Sequence, residues 1–235
     1  MDEQLLVKGD MPGDAIAISP LHIQRAEKLF PGLQNRLKEK STIAVCGPSG
    51  SGKSETASLL GTMCIKSGMK SYVLSCDNYA IRPPRDNENY RRELFDSGAE
   101  KALKDYLGTK NEILFNRLEQ IVSDFKGQKN EIQLRFMDNR QNRIANEAKS
   151  LDFSRTDILF LEGTWSGLIE NIDLIIFIEA DPAKTLAHRR KRGRDPLDSF
   201  GEIVLALEQK KLLNIRKRAH LVVTGEEEIL SNTSL

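Results

Sequence analysis

Three glycines within eight residues constrain the fold of this chain more than any other feature. The segment GPSGSGKS, at positions 47–54, matches the pattern G-x-x-x-x-G-K-[ST] in full. The apolar run TIAVC leads directly into it, and the helical pattern SETASLLGTMCIKSG begins at its last residue. The pattern requires a strand, a tight loop and a helix in this order, so we predict that local structure here.

The residues of this loop predict an anion-binding site. Gly47, Gly50 and Gly52 allow backbone angles that a β-carbon opposes, so successive N–H groups can point inward. The N-terminus of the following helix adds the positive end of its dipole. We expect ATP and Mg²⁺ as ligands, with Lys53 acting catalytically on the phosphates and Ser54 coordinating the metal. A glycine turn without a ligand is the alternative. The residues expected to bind the nucleotide are Gly47, Pro48, Ser49, Gly50, Ser51, Gly52, Lys53, Ser54 and Glu55.

Five short apolar runs without strict alternation are typical of strands buried on both faces of a parallel sheet. They are Thr42–Cys46, Tyr72–Cys76, Asp157–Leu161, Leu174–Ile178 and His220–Thr224. Helical patterns separate most of them, at Ser54–Ser67, Glu112–Phe125, Pro182–Arg192 and Phe200–Lys217. Strands that alternate with helices predict right-handed βαβ units, and hence an α/β fold with a doubly wound, five-stranded parallel sheet of the P-loop type.

The rest of the chain divides into an N-terminal part, 1–40, and the main domain, 41–235. The first part is predicted to be an arm followed by a helix from Leu21 to Lys40 that bends or breaks at Pro31. Within the domain, 81–153 is too long for a simple crossover. It is predicted to begin with a polar loop, IRPPRDNENYRRE, and to contain a strand at Ile132–Phe136. We interpret it as an insertion that builds a second substrate site; a wholly structural insertion is the alternative.

Two acids follow predicted strands at the edge of the sheet where ligands of doubly wound folds bind. Asp77 follows YVLSC, and Glu162 follows DILFL. A carboxylate there can accept the proton of an attacking hydroxyl or hold Mg²⁺. We expect Asp77 to be the base and Glu162 to be on the magnesium side. Two alternatives remain open: the two acids could exchange these roles, or either could be only a helix N-cap or a charged loop residue.

A basic run, HRRKRGRD, lies between the fourth predicted strand and the last long helix. Guanidinium groups neutralise the charge that develops on a transferred phosphoryl group, so we predict a short arginine-rich lid at about 188–198. Arg192 and Arg194 are the predicted catalytic arginines, and Arg189 is expected to contact the nucleotide. The alternative is a solvated basic face or a nucleic-acid patch. The formal net charge of +1 and the absence of interleaved aromatic residues argue against nucleic acid.

With these features in order, the stretch from about Ser41 to Gly225 resembles the uridine kinase/phosphoribulokinase family of P-loop kinases. Besides the glycine-rich loop, the resemblance rests on SCDNY at 75–79, FLEG at 160–163, DLIIFIEAD at 173–181 and RGRDP at 192–196. It implies ATP-dependent phosphorylation of a hydroxyl on a small metabolite, with Asp77 as the base, Glu162 as the acid of the E-G pair and the lid arginines within 189–194.

The acceptor side departs from the nucleoside kinases of that family. Their aromatic-Asp-Phe segment with a downstream histidine is replaced here by RFMDNRQNR at 135–143, which has no histidine. Arginine forks match anions, so this side favours an acceptor that carries phosphate or carboxylate. For Trp165, a packing role is an equal alternative. The residues expected to bind the acceptor are Asp77, Tyr79, Arg82, Arg140, Arg143 and Trp165, with Arg85 as a further candidate arginine.

Taken together, these patterns predict a small-molecule kinase that transfers the γ-phosphoryl group of MgATP to a hydroxyl, anionic acceptors included. A uridine- or cytidine-type nucleoside kinase is the alternative within the class; an NTPase switch and a polynucleotide 5′-kinase are alternatives outside it. A small molecule is the expected partner, with no membrane and with self-association left open. The acidic N-terminus lacks a secretory signal, and three cysteines without metal-ligand spacing are typical of reduced thiols, so a cytoplasmic location is expected.

Overall fold

The computed structural model of the chain describes residues 6–7, 9–11, 16–138, 140–181, 185 and 198–232. Within these residues the helices are α1 (Pro20–Gln34), α2 (Lys53–Lys66), α3 (Pro84–Tyr106), α4 (Phe115–Lys126) and α5 (Ser199–Lys217). The strands are β1 (Ser41–Cys46), β2 (Ser71–Ser75), β3 (Ile132–Asp138), β4 (Arg143–Leu151), β5 (Ile158–Glu162), β6 (Leu174–Ile178), β7 (Leu221–Val223) and β8 (Ile229–Ser231). The helix predicted at Pro182–Arg192 lies outside the described residues, apart from position 185.

The central sheet has the strand order β2-β5-β1-β6-β7-β8. The first five strands in this order run parallel, which confirms the predicted α/β fold and its five parallel strands. The sixth, β8, pairs antiparallel with β7 at the edge and was not predicted. Only three residues long and partly exposed, β8 lacks the apolar run that marks a buried strand.

Alternate residues of β1 face opposite sides of the sheet, and each side is covered by helices. Ile43 and Val45 belong to one apolar cluster with the buried faces of α1 and α2. Ala44 and Cys46 belong to the other, with α4 and α5. A strand that is buried at every position therefore lies at the centre of a three-layer structure, as expected for a parallel sheet covered on both faces.

Helix α1 departs from its prediction. Ser19 caps its N-terminus, and the helix runs through Pro31 without a break before it ends at Gln34, six residues short of Lys40. Proline costs a helix one backbone hydrogen bond. The fully buried side chains of Leu29 and Leu33 lie on either side of Pro31, and burying two leucines stabilises the last turn by more than this cost.

The insertion at 81–153 is more regular than predicted. The stretch expected to be a polar loop is the start of α3, so that prediction was wrong. Pro84 occupies the first turn, where its missing N–H does no harm, and Glu88 pairs with Arg92 one turn later at 2.8 Å. The predicted strand at Ile132–Phe136 is confirmed as part of β3, which forms an antiparallel hairpin with the unpredicted β4.

Two further properties bear on the class of protein. Within the described parts of the chain, the helices are too short or too polar to span a bilayer. Cys46, Cys64 and Cys76 are buried with free thiols, and burial raises the pKa of the Cys46 thiol to about 12. These thiols are core side chains with little nucleophilic character.

Candidate active site

The glycine-rich loop joins β1 to α2, which confirms the predicted strand, loop and helix. Gly47 has a φ of +147°, and a β-carbon there would lie 2.2 Å from the carbonyl oxygen of Ile178. Gly52 has a φ of +82° and is the N-cap of α2. Side chains at these two positions would therefore push the loop away from the neighbouring strand or strain its backbone. The glycines give the loop the tight curvature that an anion cradle needs.

The side chains of the loop fit a bound phosphate. Lys53 is buried in the first turn of α2, and its Nζ donates to the carbonyl oxygen of Pro48 at 2.9 Å. The Ser51 hydroxyl is 4% exposed and has no hydrogen-bond partner among the described residues. Because a buried polar group without a partner is costly, this hydroxyl is suited to an anion in the loop. Glu55 is buried in the same helical turn.

The predicted acid Glu162 lies beside Ser54. Their side chains are 108 residues apart in sequence, and the Ser54 hydroxyl donates to Glu162 Oε2 at 2.9 Å. Burial raises the pKa of Glu162 to about 7, with a further contribution from the negative charge of Asp77, while Lys53 opposes the rise. A buried carboxylate and a hydroxyl side by side are the oxygen ligands that Mg²⁺ prefers, so these two residues fit a magnesium site.

Asp77 lies at the end of β2, on the next strand along the sheet from Glu162. It is exposed, in the short 3₁₀ turn Cys76–Tyr79. A β-carbon at Gly163 would lie 2.9 Å from that of Cys76 and 3.8 Å from Asp77 Oδ1, so glycine lets the end of β5 approach this turn. The structure therefore brings together four predicted residues: Asp77, Glu162, Lys53 and Ser54.

A cavity of about 210 Å³ lies between the glycine-rich loop, the insertion and α5. It begins at Ser49 and Asp77, so one end is next to the phosphate cradle. Three of the residues predicted to bind the acceptor line it, namely Asp77, Arg82 and Trp165. Other residues that line it include Met11, Asn87, Glu88, Arg91, Glu112, Phe200 and Glu208.

The remaining predicted acceptor residues lie elsewhere. Tyr79 is fully buried, and its hydroxyl accepts a hydrogen bond from the Arg135 amide at 3.5 Å. Arg140 is exposed in the turn between β3 and β4, Arg143 is exposed at the start of β4, and neither is among the residues that line the cavity. Arg85 is exposed as well. The predicted lid arginines, Arg189, Arg192 and Arg194, lie outside the described residues.

The main ionic contact of the cavity was not predicted. Arg91 on α3 contacts Glu112 at 2.5 Å and Glu208 on α5 at 3.3 Å. Burial alone would lower the pKa of Arg91, but the charges of Glu112 and Glu208 outweigh it and keep that pKa above its ordinary value. Glu112 also accepts from the amide of Gly108 at 2.7 Å. This network, Arg91–Glu112–Glu208, fixes α3 against α5 at the wall of the cavity.

Aromatic residues contribute to the cavity in two ways: Tyr90 and Tyr106 contact Arg82, and Trp165 lines the cavity itself. Arg82 stacks over the ring of Tyr90, with its guanidinium carbon 3.7 Å from the ring centroid, and donates to the Tyr106 hydroxyl at 3.3 Å. Trp165 is 6% exposed and lies against Gly108, where a β-carbon would meet the indole at 2.8 Å. Trp165 therefore packs against the insertion and also lines the cavity, so the two alternatives predicted for it, packing and a place in the acceptor site, are compatible.

The N-terminal arm contributes a contact that was not predicted. The Asp10 carboxylate accepts hydrogen bonds from the Tyr72 hydroxyl at 2.9 Å, the Ser75 amide at 2.8 Å and the Asn78 side chain at 2.9 Å. Asn78 in turn accepts from the amide of Met137 at 2.8 Å. The turn that carries Asp77 is therefore fixed from both sides.

A phosphate cradle at the carboxyl edge of a parallel sheet, with acids at neighbouring strand ends and a cavity beside them, defines the class of the P-loop kinases. The chain belongs to the phosphoribulokinase/uridine kinase family, whose model matches residues 42–198. This match confirms the predicted resemblance. Membership of this family is in keeping with the predicted enzyme class, a P-loop kinase.

Similar proteins agree with this assignment. The chain is 35% identical over 201 residues to the bifunctional alpha-galactosidase/sucrose kinase of Mediterraneibacter gnavus, a match that covers 84% of this chain. It covers 21% of that protein, so the chain spans about a fifth of its relative. A possible uridine kinase from Bacillus stearothermophilus has a TM-score of 0.58 at 17% identity, covering 85% of this chain and 97% of that one. A putative fructose transport system kinase from Silicibacter sp. has a TM-score of 0.54 at 19% identity, covering 83% and 94%. These two structures support the fold alone.

Proposed function

We propose that the chain transfers the γ-phosphoryl group of MgATP to a hydroxyl of a neutral sugar. The observation that carries the proposal is the cavity beside the phosphate cradle. Its described lining has four carboxylates (Asp77, Glu88, Glu112 and Glu208) against two guanidinium groups (Arg82 and Arg91). Both arginines already have partners, in Tyr106 and in the Arg91–Glu112–Glu208 network.

The charge of the cavity decides between acceptor classes. Among the described lining residues the carboxylates outnumber the guanidinium groups by two, so a phosphate or carboxylate would face repulsion there, reduced by the part of the Glu88 charge that Arg92 balances. An uncharged acceptor with many hydroxyls avoids this repulsion and can donate hydrogen bonds to the carboxylates. The buried ring of Trp165 adds an apolar wall of the kind that small-molecule sites use. A neutral sugar therefore fits better than the anionic acceptor that the scattered arginines had suggested.

Similarity supports the same choice. The name of the relative with 35% identity includes a sucrose kinase, and that identity extends over 201 residues.

The residues near the cradle then have separate roles. Asp77 is positioned to accept the proton of the attacking hydroxyl, because it is exposed at the end of the cavity that borders Ser49. Lys53 balances the charge of the phosphates. Ser54 and Glu162 would hold Mg²⁺, which supplies neutralisation of charge on the phosphate oxygens when bound. Catalysis would consist mainly of positioning and electrostatic stabilisation.

The test is a product screen with the purified chain, ATP and magnesium. The acceptors offered are sucrose, fructose, glucose, galactose, glycerate and uridine, and mass spectrometry identifies which compound gains a phosphoryl group. We expect transfer to one or more of the sugars, and loss of that transfer in Asp77→Asn. Phosphorylation of glycerate or uridine with none of the sugars would contradict the proposal. Hydrolysis of ATP that no acceptor stimulates would favour an NTPase instead.

A further inference from the structure

A buried arginine of α1 holds the outer side of the glycine-rich loop. Arg25 is 5% exposed, and its Nη1 donates to the carbonyl oxygen of Ser51 at 2.7 Å. Its other face forms a bidentate pair with Glu227, through Nε at 2.7 Å and Nη2 at 2.5 Å. One guanidinium therefore joins the N-terminal helix, the loop and the turn between β7 and β8. None of the roles proposed above for the phosphate and acceptor sites involves Arg25.

The contact with Ser51 bears directly on the shape of the loop. When loop amides point inward at an anion, the carbonyls of the same peptides must point outward and find other partners. For Ser51 that partner is a charged donor, the stronger kind of hydrogen bond. The next residue, Gly52, has a φ of +82°, and the space beside it is filled by His22 Nε2 and Arg25 Nη1, which lie 2.8 and 2.9 Å from the position of a β-carbon. Helix α1 thus packs directly against the cradle.

The partner of Arg25 is itself fixed in place. Glu227 lies in a turn with a φ of +61°, which is closed by a hydrogen bond from the Thr224 amide to the Glu228 carbonyl at 2.9 Å. Lys28 Nζ, one turn along α1, donates to the Glu227 carbonyl at 3.2 Å. A bidentate pair with an anchored carboxylate leaves the guanidinium little freedom, so Nη1 is held at Ser51.

We propose that Arg25 is a positioning residue for the phosphate cradle, and that Glu227 acts through it by fixing its guanidinium. The positive charge of Arg25 is balanced by Glu227, so its effect is on the geometry of the loop rather than on the net potential at the phosphates. The inference rests on the nucleotide half of the proposed function and does not depend on the identity of the acceptor. It also makes α1 part of the nucleotide site rather than an appendage of the domain.

Calorimetry with two ligands, MgATP and inorganic tripolyphosphate, tests this role. Arg25→Met removes the hydrogen bonds of Arg25 to Ser51, Thr56 and Glu227 but keeps an apolar stem of similar length. We expect the Kd of both ligands to rise by about tenfold or more, the size expected for loss of a charge-assisted hydrogen bond. Arg25→Lys, which keeps the charge and can retain one bond, should recover part of the affinity. Arg36→Met is the matched control, because Arg36 bonds to Gly32 and Ser231 at the far end of α1, and both affinities should stay at the wild-type value.

The comparison of the two ligands separates a positioning role from other roles. If Arg25→Met weakens MgATP but leaves tripolyphosphate unchanged, Arg25 acts on the nucleoside and the inference is wrong. Wild-type affinity for both ligands in the folded variant would also overturn it. Should Arg25→Met fail to fold, Glu227→Gln takes its place, since it leaves the Ser51 contact possible but weakens the anchor. A smaller, parallel rise in both Kd values is then expected, and no rise would refute the inference. Failure of the wild type to bind either ligand would instead refute the proposed function.

Discussion

The phosphate side and the acceptor side of this site are built in different ways. The phosphate side is mainly backbone: a loop of eight consecutive residues, three glycines with positive φ and the first turn of one helix. The acceptor side is mainly side chains, which come from the arm, the insertion, the segment after β5 and α5. From this difference we expect substitutions on the phosphate side to change the rate of phosphoryl transfer. Substitutions on the acceptor side should change stability and acceptor affinity together.

The largest effect is expected at the boundary between the two sides. Asp77→Asn should lower kcat by about 10²–10⁴-fold, because the amide cannot accept the proton of the acceptor hydroxyl. The Kd for MgATP should stay within about twofold, since Asp77 is exposed and outside the cradle. Steady-state kinetics with the sugar found in the product screen and calorimetry with ATP measure the two quantities. Asp96→Asn, an exposed acid on α3, is the control. A normal kcat in Asp77→Asn would remove Asp77 from the chemistry.

On the acceptor side, the first change to make is in the Arg91–Glu112–Glu208 network. Arg91→Met removes the guanidinium that pairs with two buried carboxylates, and the free energy of unfolding should fall by about 3 kcal/mol. The lower end of the usual range applies because Arg91 is 21% exposed. Chemical denaturation measures the change. Lys101→Met, which breaks the exposed pair with Asp105, should cost less than about 0.5 kcal/mol. Similar losses in both variants would show that burial does not set the difference.

These two sides also differ in how far the sequence predicts them. Ser54 and Glu162 are far apart in sequence, yet both could be predicted, because one belongs to a motif and the other to the edge where parallel strands end. Arg91 meets Glu112 and Glu208 only because α3 packs beside α5. No pattern in the sequence specifies that packing. The start of α3 is predicted to be a loop because prolines and charged residues are typical of loops, whereas in the structure these residues form a partly exposed helix.

The same distinction explains why only some of the predicted arginines line the cavity. The chain has many, and the resemblance to a kinase family made each one near the insertion a candidate for binding an anion. Arg82 lines the cavity, whereas Arg140, in the turn between β3 and β4, and Arg143, at the start of β4, are exposed and do not line it. Arg25 was not predicted as a site residue, because it lies more than twenty residues before the glycine-rich loop in the sequence. Charge can be counted from sequence, but its position depends on tertiary packing.

The pH dependence of stability tests the environment of Glu162 on the phosphate side. The pKa of Glu162 is about 7 in the folded chain against an ordinary value of 4.5, so the folded state binds its proton more tightly than the unfolded state does. The resulting stabilisation is complete below about pH 4.5 and is lost as the pH rises through about 7, a fall of about 3 kcal/mol in the free energy of unfolding. Urea unfolding between pH 4.5 and 8, without nucleotide or magnesium, measures it.

Glu162→Gln is the matched variant, since it keeps the shape and removes the titration. As the pH rises from 4.5 to 8, the free energy of unfolding of this variant should fall by about 3 kcal/mol less than that of the wild type. Parallel curves for the two proteins would mean that the Glu162 carboxyl titrates at its ordinary value. The buried charge would then have to be balanced by another group.

The smallest effect should come from Gly108, which lies on the acceptor side and resembles the glycines of the cradle. Its φ is +64°, and a β-carbon would meet the Trp165 ring at 2.8 Å. Gly108→Ala should therefore cost about 1–2 kcal/mol of stability and move the indole, which lines the cavity. We expect the KM for the sugar to rise severalfold while the Kd for MgATP is unchanged. Gly68→Ala is the control, because Gly68 has a φ of +88° but nothing within 4 Å of its β-carbon position, so it shares the backbone strain without the clash. Equal KM values in the two variants would mean that Trp165 does not shape the acceptor site.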